Sequence, residues 1–285
     1  MSTRQTEKVI IYEPNHIMKA GIDVWPQMFR ELIACRELIW RLAIRDISAR
    51  YKQSIFGILW AFLAPLALMI VFIWIKGKHI IPIRETDMPY AAFVFLGQMI
   101  WLLFSHGVTT SANSLVAAGP MLKKIYFPRE VLVLSSLAQA VFEFVLRIPL
   151  LGLIFIWIGF VPKWTIIFLP VALLPLLFMT VGMGFFLSLF NAIVRDTTSV
   201  LGIVMTLGMF ATPVVYPAPS TWPLSFWINY VNPISPIIRA CRDLATAGYM
   251  TEAQSYFSSA LFGLLVFLVG WRIFHAVEHK VAERV

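Results

Sequence analysis

Long apolar runs, uniform on every face, divide this chain. Six of them stand at residues 54–75, 90–111, 131–157, 165–192, 198–216 and 256–274. Crossing a hydrocarbon core takes about 20 apolar residues in a helix rising about 1.5 Å each. The pattern therefore predicts six transmembrane helices. Barrel strands would alternate apolar and polar residues over about ten positions, and these runs do not alternate. The expected fold is all-α and polytopic.

Residues 25–51 carry a different pattern. Met28, Phe29, Leu32, Ile33, Ile39, Ile44, Ile47 and Tyr51 form an apolar set. Arg30, Arg36, Glu37, Arg41, Arg45 and Arg50 lie opposite, and Pro26 suits a first helical turn. Trp and Ile on one face with Arg on the other predict a helix lying in the membrane interface. The plain alternative, a surface helix on a soluble domain, has no visible soluble domain to pack on.

The stretch 197–238 holds no charge, yet it is too long for one crossing. Pro213, Pro217, Pro219, Pro223, Pro233 and Pro236 punctuate its second half, beside Trp222, Trp227 and Tyr230. Proline interrupts helices, and aromatic rings favour the headgroup level. The expected course is a crossing that ends near Tyr216, then short outer re-entrant helices over 217–245. Such backbone must be buried in protein or line water. The organisation expected is a segment 1–24, an interface helix 25–53, a membrane domain 54–278 and a tail 279–285.

Composition agrees with this class: 59% of residues are hydrophobic, 13% are charged, and mean hydropathy is +0.79. The net charge of +8 would suggest nucleic acid in a soluble protein. Here cationic loops holding topology and meeting anionic headgroups explain it without nucleic acid. With an inner N-terminus, sixteen Lys and Arg fall inside and six outside, and Arg147 lies within a run. Both termini are therefore expected on the cytoplasmic side. That topology separates Cys35 from Cys241 and argues against an intrachain disulfide. The polar, mixed-charge start predicts no cleavable signal peptide.

Candidate chemistry is sparse. In NSLVAAGPMLKKIYFPREVL, Gly119-Pro120 breaks a helix and Pro128 can start the next, with Glu130 in its first turn. A short inner helix and a plain positive-inside loop both fit. Glu143 and Arg147 are four apart within the third run, acid first, which favours an intrahelical pair. Such a pair can line a polar path or simply neutralise itself. His275 and His279 have helical spacing, but Ala276 stands where a zinc peptidase needs Glu, so no metal is expected. No P-loop pattern occurs, so this chain is not expected to hydrolyse nucleotide alone.

Four blocks in order then resemble one family: RDISARYKQSIFGILWAFLAPL, LKKIYFPREVLVLS, NAIVRDTTSVLGIVMTLGMFATPVVYP and NPISPIIRACRDLATAG. They are similar to the membrane subunits of type-2 ABC exporters for polysaccharide and polyol phosphate, as in O-antigen, capsule and teichoic acid export. The ending FHAVEHKVAERV is also similar, and residues 1–24 fall outside the likeness.

The resemblance implies a homodimer of six-span subunits in the bacterial cytoplasmic (inner) membrane. Two copies of a separate ATPase would carry ATP and Mg, with no cofactor in this chain. A lipid-linked glycan would cross from the inner to the outer leaflet through a channel at the dimer interface. By motif, the ATPase-coupling residues implied are Arg45, Arg50, Asn113, Lys123, Lys124, Phe127, Pro128, Arg129, Glu130, Arg195 and Asp196. The coupling loop is 113–130. Aromatic rings can pack on sugar C–H faces, which makes Trp60, Phe62, Trp101, Phe104 and Tyr216 candidate channel-lining residues; lipid contact explains such rings equally well. Two further readings stay open. One is a drug or small-lipid exporter of the same superfamily. The other is a glycosyl or acyl transferase, suggested by Arg239 and Arg242, although His79, Glu85, Asp87 and Asp243 form no evident site in the sequence.

Overall fold

The computed structural model describes residues 24–52, 56–80, 82–122, 127–218 and 226–282. Among the described residues there is no strand. Five stretches are long and apolar enough to cross a membrane: Gly57–Gly77, Tyr90–Ala117, Glu130–Ile158, Trp164–Ile193 and Ala253–Glu278.

The chain enters through α1 (Val24–Ala34) and α2 (Arg36–Lys52). The single helix expected over 25–51 is divided at Cys35. The Cys35 N–H donates to Glu31 O and the Ile39 N–H to Cys35 O, both at 3.0 Å, so helical hydrogen bonds continue across the division. Met28, Leu42 and Ala43 turn inward, whereas Ile33, Trp40 and Ile44 are exposed. Those exposed residues make the apolar face that an interfacial helix turns toward lipid. α1 is pinned by aromatic contacts of Trp25 and Phe29 with Trp271, at 5.8 and 4.7 Å between ring centroids.

A 3-10 turn (Gly57–Leu59) leads into α3 (Trp60–Gly77), and α4 (Tyr90–Ala117) follows. α4 is the central helix. It packs on α6 (Glu130–Ile158) and on α8 (Leu174–Ile193), with α3 and α9 (Thr197–Ala211) against it more lightly. Phe95, Leu96, Met99, Ile100 and Leu103 of α4 are almost wholly inaccessible. α5 (Gly119–Leu122) is a single turn between α4 and α6.

The fourth apolar run is segmented. It starts as a 3-10 turn (Trp164–Phe168), passes through α7 (Leu169–Ala172) and bends at Leu173 into α8. Pro170 and Pro175 flank the bend, and each lacks the N–H that a regular helix would use. α9 has 15 residues, about 22 Å of helix, shorter than the hydrocarbon core. It continues as turns to Tyr216.

Short helical elements follow the turns after α9. A π-helical turn (Trp227–Val231) precedes α10 (Ile234–Thr246). Asn232 Oδ1 accepts the Ile234 N–H at 3.0 Å and so caps the new helix start. Gly248, at φ +88°, closes it, donating its N–H to Asp243 O at 2.8 Å. α11 (Ala253–Ala282) then returns the length of the bundle against α8.

The α8–α11 contact is set by glycine. A Cβ on Gly270 would lie 2.3 Å from Gly182 O, and one on Gly182 would lie 2.4 Å from Val266 O. Backbone thus meets backbone, the usual way membrane helices approach closely. Gly270→Leu is expected to destabilise the bundle by at least about 1–3 kcal/mol, the cost of overpacking. Unfolding by SDS in mixed micelles reads this as an earlier midpoint; an unchanged midpoint would deny the close contact.

Both cysteines are free and covered, Cys35 partly and Cys241 wholly. Burial raises the Cys35 thiol above its ordinary range, followed by the nearby carboxylates of Glu31 and Glu130. Burial pushes Cys241 up to about 12. A raised thiol pKa means less thiolate, so alkylation by iodoacetamide at pH 8 is expected to be slow at Cys35 and absent at Cys241 in the folded chain. Peptide mass spectrometry measures both.

Candidate functional site

A buried carboxylate draws four elements together. Glu143 sits on α6 and is 2% exposed. An isolated charge there would be very costly, so its partners matter. Arg147, one turn on, gives Nη2 at 2.9 Å from Glu143 Oε2. His106 of α4 brings Nδ1 to 3.0 Å from the same oxygen. At Oε1, Arg50 Nη1 lies at 3.4 Å and the Tyr51 hydroxyl donates at 3.2 Å. Arg147 Nε donates onward to Ala61 O of α3 at 3.0 Å.

His106 also meets Arg50, whose Nη2 lies 3.2 Å from the ring Nε2. An unprotonated Nε2 accepts from that guanidinium, which can only donate. Gln139, with its amide oxygen toward Arg50, accepts from Nη1 at 2.6 Å. Burial and then the Glu143 carboxylate push the Tyr51 phenol up to about 12, so it remains a donor at neutral pH. The last turn of α2 is thereby locked to α6 and α4, and through Arg147 to the first turns of α3.

A second lock joins the start of α6 to the end of α11. Phe127 is buried in a cluster with Leu115, Val131, Trp271 and Phe274. Glu130 Oε1 lies 2.8 Å from His275 Nδ1. The Arg129 N–H donates to Glu278 Oε2 at 3.3 Å, and its guanidinium donates to the Glu278 carbonyl. FPRE is thus a clamp between the start of α6 and the end of α11. His275 pairs with Glu130, while His279 lies outside the described side chains.

The exposed groups at this end lie around these locks. Arg45 Nη1 reaches Met121 Sδ of α5 at 3.6 Å and pairs with Asp46 at 2.8 Å. Asn113 is exposed at the end of α4, and buried Asn191 donates to Ala112 O at 3.1 Å and to Asn113 Oδ1 at 3.5 Å. That bond sets the NAIVRD turn, with exposed Arg195 and Asp196, beside the α4–α5 turn. Together these form one polar surface of α2, α5 and the α8–α9 turn.

The family profile of the ABC-2 type transporters matches residues 37–245, from the first turn of α2 through α10. The chain belongs to the ABC-2 type transporter family. It is 27% identical over 261 residues to the O-antigen export system permease protein RfbA of Myxococcus xanthus, covering 91% of this chain and 99% of that one. It is 28% identical over 250 residues to the RfbA protein of Klebsiella pneumoniae, covering 87% and 94%. The polysialic acid transport protein KpsM of Escherichia coli is 23% identical over 255 residues, covering 84% and 93%.

Set against this family membership, the residues singled out from sequence divide. Arg45, Asn113, Arg195 and Asp196 stand on the polar surface, and Arg50 bridges from it to Glu143. Phe127 and Glu130 face inward, and Pro128 and Arg129 are half-buried. Lys123 and Lys124 lie outside the described residues. Trp101 and Phe104 are buried in the core of this subunit rather than facing an opening, because α4 is central; a Cβ on Gly208 of α9 would lie 3.0 Å from the Trp101 ring. Trp60, Phe62 and Tyr216 keep exposed surface, and the Tyr216 hydroxyl donates to Phe210 O at 2.8 Å.

Sequence reasoning missed the pairing of His106 with Glu143 and of His275 with Glu130, and the role of Arg242. Arg242 is buried at the far end and donates to the carbonyls of Pro213, Val214 and Phe93 at 2.8, 2.6 and 3.1 Å. Its guanidinium also stacks 3.4 Å from the Phe93 ring centroid. This one side chain fastens α10 to the start of α4 and to the turn after α9. Charge spacing alone could not show it, since its partners are backbone.

Proposed function

We propose that this chain is the transmembrane subunit of an ATP-driven exporter that moves a lipid-linked polysaccharide, of the O-antigen or capsule kind, from the inner to the outer leaflet. The observation that carries this reading is the family match across the whole span from α2 to α10, with relatives named for O-antigen and polysialic acid along nearly their full length. Two copies of the chain would enclose the path. α9, with its flanking turns, would be a sixth crossing, and both termini would be cytoplasmic. A separate ATPase subunit, in two copies, would bind ATP and Mg.

The geometry supports a route for the drive. A partner seated on the α2–α5–α9 surface meets Arg45, Asn113, Arg195 and Asp196. Movement of α2 there carries Arg50 and Tyr51 against Glu143, and Arg147 passes it to α3. Rigid helices joined by ion pairs deliver displacement without needing a flexible linker. The outer turn held by Arg242 would close the far end.

Co-purification with the ATPase subunit tests the partner. Scrambling 113–130 in a chain that still folds is expected to abolish the complex. The double charge reversal Arg45→Glu, Arg50→Glu is expected to leave the chain in the membrane but lower coupled ATPase activity at least about tenfold, since it reverses the charge of the exposed surface at Arg45 and sets a carboxylate at position 50 against buried Glu143. A complex that survives the scramble would remove this surface from the account.

A further inference from the structure

At the α10 end, away from the hub, a cavity of about 530 Å³ opens between α10, the residues before α4 and the turn after α9. We propose that it holds one sugar residue of the exported chain as that chain leaves the outer mouth. The inference rests on the polysaccharide reading above and adds a substrate site to it.

Three features select the ligand. First, the walls carry both signs of charge: Asp87 and Asp243 on one side of the ledger, Arg239 and Arg242 on the other. Asp87 is exposed at the rim, and Asp243 is held in place by the Thr251 N–H at 2.8 Å and its hydroxyl at 2.5 Å. Arg239 pairs with Glu252. Second, Ser235 Oγ and Arg242 Nε are buried polar atoms without a partner, and both residues line the cavity. Ser235 is 1% and Arg242 7% exposed. Buried polar groups are nearly always hydrogen-bonded, so two orphans on one cavity mark a place for a polar guest. Third, Pro213, Pro217 and Ala218 add an apolar wall.

A pyranose fits this combination. Its hydroxyls donate to carboxylates and accept from guanidinium and serine, while its C–H face lies on the prolines. A bare anion would meet Asp87 and Asp243, and a cation would meet Arg239 and Arg242. An apolar guest would strand all four charges.

The test uses the full chain co-purified with its ATPase subunit in phosphatidylcholine nanodiscs. Saturation-transfer NMR is recorded with free D-mannose, D-galactose, L-rhamnose and N-acetyl-D-glucosamine, with inorganic phosphate as competitor. At least one sugar is expected to give a saturable signal that phosphate leaves intact. Asp87→Asn removes a charged acceptor and is expected to weaken that sugar about tenfold. Ala247→Phe fills the mouth from an exposed position and is expected to abolish the signal, with the ATPase still bound in both variants. No saturable sugar in the wild-type complex, equal binding in both variants, or displacement by phosphate would each overturn the proposal. Loss of the ATPase from the wild-type chain would instead strike the exporter reading.

Discussion

Glu143→Ala is expected to lower the stability of the purified chain by about 3–5 kcal/mol, the cost of breaking a buried ion pair from one side. The carboxylate is the common acceptor for Arg147, His106, Arg50 and Tyr51. Its removal leaves the Arg147 guanidinium buried with only the Ala61 carbonyl. It also frees the last turn of α2 from α6. Arg147→Ala alone should cost less, because His106, Arg50 and Tyr51 still answer Glu143. The double variant should cost clearly less than the sum, since each loss removes the reason for the other. SDS-titrated unfolding of the four proteins measures the cycle. Additive costs would mean that the hub is a set of independent contacts and not a connected lock.

Arg242→Ala is the second large effect. Three carbonyls lose a charged donor in one step, and bonds of that type are worth about 1.5–3 kcal/mol each. Water at that end replaces part of the loss, so a local cost of at least about 3 kcal/mol is expected. α10 should exchange its amide hydrogens about a hundredfold faster while α8 and α11 stay protected. Arg242→Lys should recover little, because one ammonium cannot span three carbonyls in a fixed fork. Gly97→Ala should mimic the loss: its Cβ would fall 2.2 Å from Arg242 Nη2 and 2.6 Å from Val214 O. Uniform exchange in all of these variants would show that α10 is held by its apolar face alone.

Much of the architecture can be read from residues, and the reasons are local. Length and uniform apolarity mark α3, α4, α6 and α11, and the observed helices extend the expected ones mainly at their polar ends. The 90–111 run becomes Tyr90–Ala117, because Thr109 and Thr110 donate within α4 and Ser111 donates to α6, so these polar residues need not end it. The proline-rich stretch signals an interruption before α10, at Pro233, but not its form, whereas the 165–192 run reads as one span and the structure divides it near Pro170 and Pro175. The interface helix divides at Cys35 without any residue that would announce it.

The site was legible only where partners are neighbours in sequence. Glu143 and Arg147 are one turn apart, so pattern reveals them. Arg50 and Tyr51 meet Glu143 across 93 and 92 positions, and His106 joins from another helix. Glu130 finds His275 from 145 positions away. Such pairs depend on which helix faces turn together, which composition and spacing do not encode. The FPRE motif shows the limit most clearly: it reads as one unit in sequence, but the structure turns Phe127 and Glu130 inward.

The most direct measurement of the central claim is the location of the glycan in cells that make it. Deleting this subunit should leave the lipid-linked polysaccharide on the cytoplasmic face, absent from the cell surface to antibody or lectin, and the wild-type chain should restore it. The Arg45→Glu, Arg50→Glu variant, present in the membrane at normal level, should not. Surface glycan undiminished by the deletion would contradict the account.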